Sequence, residues 1–169
     1  MYEKLVSHKL TSFCEKCDFL HAAQFAYWKG LGSTDALLTI SHHLQKALDA
    51  GMESYIVQLD FNAAFDRVSH SGVLFKLKSI GVGGSMLSIC REFLSNRRQR
   101  VVVDGATSEW IPIVSGVSQG SVLRPLLFIH YTSEMFELVE NRLYAYADDS
   151  TLLTVVRKIA DRQHSWREV

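Results

Sequence analysis

This sequence predicts an α+β fold, an antiparallel sheet with helices packed on one face, and three features carry that prediction. Apolar residues recur at helical spacing in several stretches between residues 33 and 140. Short apolar runs of strand length lie at 55–61, 99–103, 142–147 and 151–156. Two of these runs end in residues that turn a chain back on itself, Asp104-Gly105 and Asp148-Asp149, which favours hairpins over parallel crossovers.

In chain order, residues 1–23 read as a weak helix and a loop. Ser33 has N-cap chemistry for a helix whose apolar face is Ala36, Leu37, Ile40, Leu44, Ala47 and Leu48, ended by Gly51. Residues 55–61 are too apolar for a strand with a wet face, so they are expected at the centre of the sheet. A short helix around Gly72–Ser79 turns Val73, Leu74, Leu77 and Ile80 inward and stops at Gly81, and another spans Ser85–Ser95. The strand from Gln99 enters a two-residue turn at Asp104-Gly105, and Thr107–Val114 returns antiparallel, Pro112 marking an edge. Residues 122–140 read as helical, with Pro125 tolerable in the first turn. Strand 142–147, a turn at Asp148-Asp149 and strand 151–156 complete the set.

The chain's 169 residues, 47% of them hydrophobic, amount to one domain's worth and suffice for a sizeable core. Eighteen basic and eighteen acidic residues cancel, which counts mildly against a nucleic-acid-binding surface. The charge is patchy, however: Arg91–Arg100 holds four arginines against one glutamate. Three cysteines make no disulfide framework and point to a reducing compartment. Cys14-x-x-Cys17 with His21 has no second ligand pair, so zinc is not the expected reading. No apolar run approaches the roughly 18–20 residues of a membrane span, and the opening residues do not read as a signal peptide. No membrane partner is expected.

Tyr146-Ala-Asp-Asp149 sets two adjacent carboxylates at the end of an apolar run. A strand entering a core tolerates that only where something cationic neutralises them. Tyr55-Ile-Val-Gln-Leu-Asp60 is another apolar strand ending in an acid, and Ser115-Gly-Val-Ser-Gln-Gly-Ser121 is a small-residue loop between them with one amide. Each motif alone is weak, since an Asp-Asp pair is usually a solvated turn. Their joint order is the layout of a two-metal phosphoryl-transfer site. Mg²⁺ takes one or two carboxylates plus substrate phosphate oxygens. Two such ions roughly 3.5–4 Å apart activate an attacking hydroxyl and stabilise the leaving group.

Leu59-Asp-Phe-Asn-Ala-Ala-Phe-Asp66, Ser115-Gly-Val-Ser-Gln-Gly-Ser-Val-Leu123 with Pro125-Leu-Leu-Phe128, and Tyr146-Ala-Asp-Asp149 resemble the three central palm motifs of reverse transcriptases. The flavour is that of non-LTR (LINE-like, jockey-type) retrotransposons. Gln24-Phe-Ala-Tyr-Trp-Lys-Gly30 with Ser33-Thr-Asp-Ala36 resembles the fingers motif just upstream, and Arg97-Arg-Gln-Arg-Val-Val-Val-Asp-Gly105 the hairpin between the first two palm motifs. The resemblance implies a palm with part of the fingers: a single partial domain over 1–169, fingers to about 54, palm over 55–156, and the start of a downstream region over 157–169. It implies an RNA-directed DNA polymerase with RNA template, DNA primer and deoxynucleoside triphosphates as partners. Two Mg²⁺ ions, with Mn²⁺ as a substitute, would be held by Asp60, Asp148 and Asp149. Phe61, Phe65, Gln119, Gly120 and Lys29 would face the nucleotide, Phe65 as a steric gate against a 2′-hydroxyl and Gly120 admitting close backbone approach. Arg97, Arg98 and Arg100 would touch nucleic-acid phosphates, and the compartment would be nucleus or cytoplasm. The oligomeric state stays open.

The sequence departs from the family at several positions. The fingers motif usually reads Gly-Phe-Arg-Lys-Gly-Arg-Ser, and here Ala26, Trp28 and Leu31 replace the glycine and both arginines. An indole cannot neutralise phosphate charge. Ser118 replaces a usual proline, Arg124 a usual glycine and Ala63 a usual lysine. These losses, with no thumb motif in the sequence, lead to the expectation of a truncated, decaying copy that is inactive or non-processive. An intron-encoded maturase lineage and a non-catalytic RNA- or protein-binding module are the alternatives.

Overall fold

The computed structural model describes residues 2–17, 21–28 and 30–157. In chain order the first elements are α1 (Tyr2–Lys16), α2 (Ser33–Asp49), β1 (Glu53–Leu59), a 3₁₀ turn (Ala64–Arg67), α3 (His70–Ser79) and α4 (Gly84–Leu94). Then come β2 (Arg98–Gln99), β3 (Val102–Val103), β4 (Ala106–Thr107), β5 (Ile111–Pro112), α5 (Arg124–Thr132), a second 3₁₀ turn (Ser133–Phe136), β6 (Arg142–Tyr146) and β7 (Asp149–Val156). They form two compact units, one of Met1–Phe19 with Ala63–Tyr131, the other of Leu20–Asn62 with Thr132–Val169. Helix and antiparallel sheet in this mixture bear out the α+β class.

The second unit is built on a three-stranded antiparallel sheet ordered β1-β7-β6. Strand alternation sends Leu153 and Tyr144 to one face, where they bury against Phe25 and Ala36 with Ile40 and Leu44 of α2 packed behind. Leu152, Leu143 and Ala145 go to the other face, against Phe136. Helix α2 begins one residue off the expectation: Gly32 is the N-cap, and its N–H donates to Asp35 Oδ2 at 2.7 Å. Of the expected apolar face, Ala36 and Ala47 are buried, whereas Leu37 and Leu48 remain exposed. His43 ties the helix to β6, its ring nitrogens 2.7 Å from Arg142 Nη1 and 3.1 Å from the Tyr144 hydroxyl.

The expected central position of residues 55–61 is corrected. β7 pairs with both neighbours and is central, while β1 is an edge strand with Ile56 47% and Leu59 42% exposed. Apolarity reports that a strand has faces to cover, but not which strand lies beside it.

The first unit is mostly helical. Val6, Leu10 and Cys14 of α1, Val73 and Leu77 of α3, Cys90 and Leu94 of α4, and Leu126 to His130 of α5 are buried. Ser69 caps α3 by accepting from the Gly72 N–H at 3.2 Å. A Cβ at Gly72 would stand 2.8 Å from Tyr131 Cε2, so the ring would have to shift to admit a larger residue. The hairpin forms as two short ladders, β2 with β5 and β3 with β4, turning through Asp104 and Gly105 at φ 48° and 82°. Positive φ at both turn positions is what a type I′ turn requires. The expected helix over 122–140 is shorter, α5 followed by the 3₁₀ turn.

Candidate active site

The acid pair sits at the β6–β7 hairpin, one residue away from the expected arrangement. Tyr146 pairs with Asp149, so the two-residue turn is Ala147-Asp148, and Asp149 opens β7. On the other flank of β7, Leu59 pairs with Ser150. The β1–β7 ladder ends there, and Asp60, which follows Leu59, and Asp149, which precedes Ser150, both lie just past its last pair at that same end. Asp60, Asp148 and Asp149 are therefore brought to one end of one sheet. Asp60 and Asp149 are exposed and Asp148 is half-buried. Among the described residues, no three His, Cys, Asp or Glu side chains already form a group that could hold a metal ion. The donor chemistry nevertheless fits a hard divalent cation, since Mg²⁺ takes one or two carboxylates and completes its shell from phosphate and water oxygens.

The turn carries strain. Ala147 has φ 60°, a region that L-residues with a Cβ rarely adopt, at a cost on the order of 1–3 kcal/mol. Its neighbour in space is Gln24, buried to 2% exposure. The Ala147 N–H donates to Gln24 Oε1 at 3.1 Å, and Gln24 Nε2 donates to the Ala147 carbonyl at 3.3 Å. Gln24 opens the stretch carrying the fingers resemblance, but a partner 123 residues away left no trace in the sequence.

In the first unit, the loop expected to face the nucleotide is laced to the segment after Asp60. Gly116 N–H donates to the Val68 carbonyl at 2.8 Å, and Val117 N–H to the Phe65 carbonyl at 3.0 Å. Ser115 Oγ donates to the Asp66 carbonyl at 3.0 Å. Backbone approaches Gly116 closely: at φ 80°, a Cβ there would lie 2.7 Å from the Asp66 carbonyl oxygen. Gly120 is in the left-handed region at φ 76° with open space around it. Gln119 is exposed on the wall of a surface cleft of about 710 Å³, with Asp66, Arg97 and Gln99 among the lining residues. Phe65 is half-buried, its ring 4.1 Å from that of Phe128, with the Arg124 guanidinium carbon 4.5 Å from its centroid. Phe61 is 43% exposed.

The three hairpin arginines separate. Arg97 is turned inward: Nε donates to the Leu94 carbonyl at 3.2 Å, Nη1 to Ser118 Oγ at 2.7 Å and Nη2 to the Gly116 carbonyl, with His70 Nε2 2.9 Å away. Burial pulls its pKa below the ordinary arginine value. Arg98 and Arg100 are exposed, Arg100 lying 4.6 Å from the Trp110 ring centroid. Lys29 lies outside the described residues. Cys14 hydrogen-bonds the buried His130, Sγ to Nε2 at 3.0 Å. Burial pushes the Cys14 thiol up to about 12 and the His130 imidazole down to about 4, so the pair is a neutral core contact rather than an activated nucleophile.

Residues 1–167 match the family model described as reverse transcriptase (RNA-dependent DNA polymerase). The chain is 30% identical over 163 residues to a probable RNA-directed DNA polymerase from transposon BS of Drosophila melanogaster, covering 90% of this chain and 18% of that protein. It is also 30% identical over 165 residues to the RNA-directed DNA polymerase from mobile element jockey of Drosophila melanogaster, covering 93% of this chain and 18% of that protein. The chain thus spans 18% of the length of both relatives. Telomerase from Candida albicans, solved in complex with a TWJ fragment of telomeric RNA, matches with a TM-score of 0.65. That likeness, at 17% identity over 96% of this chain and 31% of that one, is one of fold. With its family match running over nearly its whole length and relatives of this kind, the chain belongs to the reverse transcriptase family, beside the enzymes of non-LTR retrotransposons.

Proposed function

We propose that this chain carries the nucleotidyl-transfer site of an RNA-directed DNA polymerase, which adds deoxynucleotides to a primer 3′-hydroxyl against an RNA template. The observation that carries the reading is the β1–β7–β6 register, which supports Asp60 at the same end of the sheet as Asp148 and Asp149. Asp60, Asp148 and Asp149 would hold two divalent ions, Mg²⁺ or Mn²⁺, whose chemistry is to activate the 3′-hydroxyl and stabilise the leaving pyrophosphate. Phe65, Phe61, Gln119, Gly120 and Lys29 are assigned to the nucleotide by the family motifs. The exposed Arg98 and Arg100 suit phosphates of template or primer, and Arg97, which lines the cleft beside Gln119 with three of its N–H groups donated within the fold, is the less available of the three.

The chain's own substitutions weaken this site. Trp28 stands where a cation is expected, and a charge-assisted contact of that kind contributes roughly 1.5–3 kcal/mol, about a tenfold to hundredfold effect. Arg124 covers Phe65. We therefore expect slow, non-processive addition at best. The same two features favour a second reading, a non-catalytic RNA- or protein-binding module.

Single-nucleotide addition to an RNA-templated primer, measured with Mn²⁺, separates the two readings. Slow addition that Asp60→Asn abolishes supports the polymerase site. Equal addition by Asp60→Asn points to a contaminant, and template binding without any addition supports the binding module.

A further inference from the structure

We infer that Gln24 is a positioning residue for the acid-pair turn: its buried amide holds Ala147 in the strained conformation that presents Asp148 and Asp149. Every polar group of this side chain is directed at backbone. Oε1 accepts from the Ala147 N–H and from the Ala26 N–H, both at 3.1 Å, and Nε2 donates to the Ala147 carbonyl at 3.3 Å. The amide's orientation follows from these partners, since an N–H must face Oε1 and a carbonyl must face Nε2.

The backbone prepares this reach. Phe25 N–H donates to the Ala145 carbonyl at 2.8 Å and Ala145 N–H to the Ala23 carbonyl at 2.8 Å, so residues 23–25 run parallel to the end of β6. That alignment sets Gln24 beside Ala145, from which its side chain reaches forward to Ala147. A shorter amide would fall short, and an ionised carboxylate would repel the Ala147 carbonyl. At 2% exposure, Gln24 has no water to exchange these bonds for, which makes the contact stiff.

Strain at Ala147 is the independent observation. A non-glycine residue at φ 60° persists only where its surroundings over-determine it. Here one side chain grips both polar groups of that residue's backbone, immediately before Asp148. Released from the grip, Ala147 would relax toward negative φ and swing the acid pair away from Asp60. This inference rests on the polymerase reading only for what the turn presents; the grip itself stands on the bonds.

The test is Mn²⁺ affinity of the 169-residue chain, read from the free-ion EPR signal, together with hydrogen exchange of the Ala147 amide. Gln24→Met keeps the side-chain length without the hydrogen bonds. It is expected to expose the Ala147 amide to exchange and to weaken Mn²⁺ about tenfold, the loss of one to two net hydrogen bonds. Adding Ala147→Gly to Gln24→Met should recover most of that affinity, because glycine takes positive φ freely and is favoured at the first position of a turn of this sign. Ala147→Gly alone should change affinity less than about threefold. Recovery by glycine is the signature that lost packing would not produce.

Unchanged Mn²⁺ affinity in Gln24→Met, or no recovery with glycine, overturns the positioning role. If Gln24→Met fails to fold, Gln24→Glu replaces it, keeping the accepting contacts while setting a carboxylate oxygen against the Ala147 carbonyl in place of the donated bond. Its Mn²⁺ affinity should fall below that of the unmodified chain and its Ala147 amide should exchange faster, and wild-type values for both overturn the proposal. Mn²⁺ binding that is indifferent to Asp60→Asn defeats the carboxylate reading instead, and exchange at Ala147 then still decides whether the grip exists.

Discussion

At Phe65, a single substituted residue changes what the ring can meet. Phe128 is almost fully buried with its ring centroid 4.1 Å from that of Phe65, and the Arg124 guanidinium, itself 4.0 Å from Asp66, lies 4.5 Å from the Phe65 centroid. A cation–ring contact of this kind is worth about 0.5–2 kcal/mol. A nucleotide sugar seated against Phe65 must displace it, so Arg124→Gly is expected to raise deoxynucleotide affinity about threefold to thirtyfold in a fluorescence titration. Weaker binding in that variant would mean that the guanidinium instead contacts the phosphates. Gly116 is the second decisive residue. Alanine there would be strained at φ 80° and would clash with Asp66 backbone, so Gly116→Ala should destabilise the fold by about 3 kcal/mol or more in urea titration. The sequence marks Gly116 only as one of two glycines in a loop, and the demand for it is visible once Asp66 lies against it.

Among the elements, those with local signals were legible and those defined by a neighbour were not. The Asp104-Gly105 turn and the stop of α3 at Gly81 depend on φ and on hydrogen bonds a few residues long. The loop at 115–118 differs, because its conformation is held from outside by Arg97, which bonds the Gly116 carbonyl and Ser118 Oγ. From the sequence, the Arg97–Arg100 run reads as a phosphate-facing patch, yet its first member serves the fold. Ser118, standing where a proline is usual, supplies the acceptor. Arg97→Ala should lower stability by about 2 kcal/mol, read as a shift of the urea midpoint, while Arg98→Ala should leave the midpoint within about 0.5 kcal/mol and weaken template binding in a salt-dependent way. The reverse pattern would return Arg97 to the nucleic-acid surface.

For the molecule as a whole, stability should follow a pH window set by the buried Cys14–His130 pair. His130 has a folded pKa of about 4, below its ordinary 6.5, so the neutral ring stabilises the fold fully above pH 6.5. As pH falls from there toward 4, the unfolded chain takes up the proton first, and about 3 kcal/mol is lost. Cys14 has a folded pKa of about 12 against an ordinary 9.0, so its contribution is complete below pH 9 and declines as pH rises toward 12. The melting temperature should therefore plateau between about pH 6.5 and 9, and His130→Phe should flatten the acidic limb. An acidic limb unchanged in that variant would assign it to other groups. By itself the sequence determined the α+β class, the Asp104-Gly105 hairpin turn, the order of the three acids and the family, because periodicity, turn chemistry and motif spacing are properties of neighbours along the chain. Only the tertiary structure decided that β7 rather than β1 is central, that the turn is Ala147-Asp148, that Gln24 grips it and that Arg97 faces inward. Each of those depends on which residues from distant parts of the chain come to lie side by side, and a pattern of apolar and polar residues states which face is covered but not by whom.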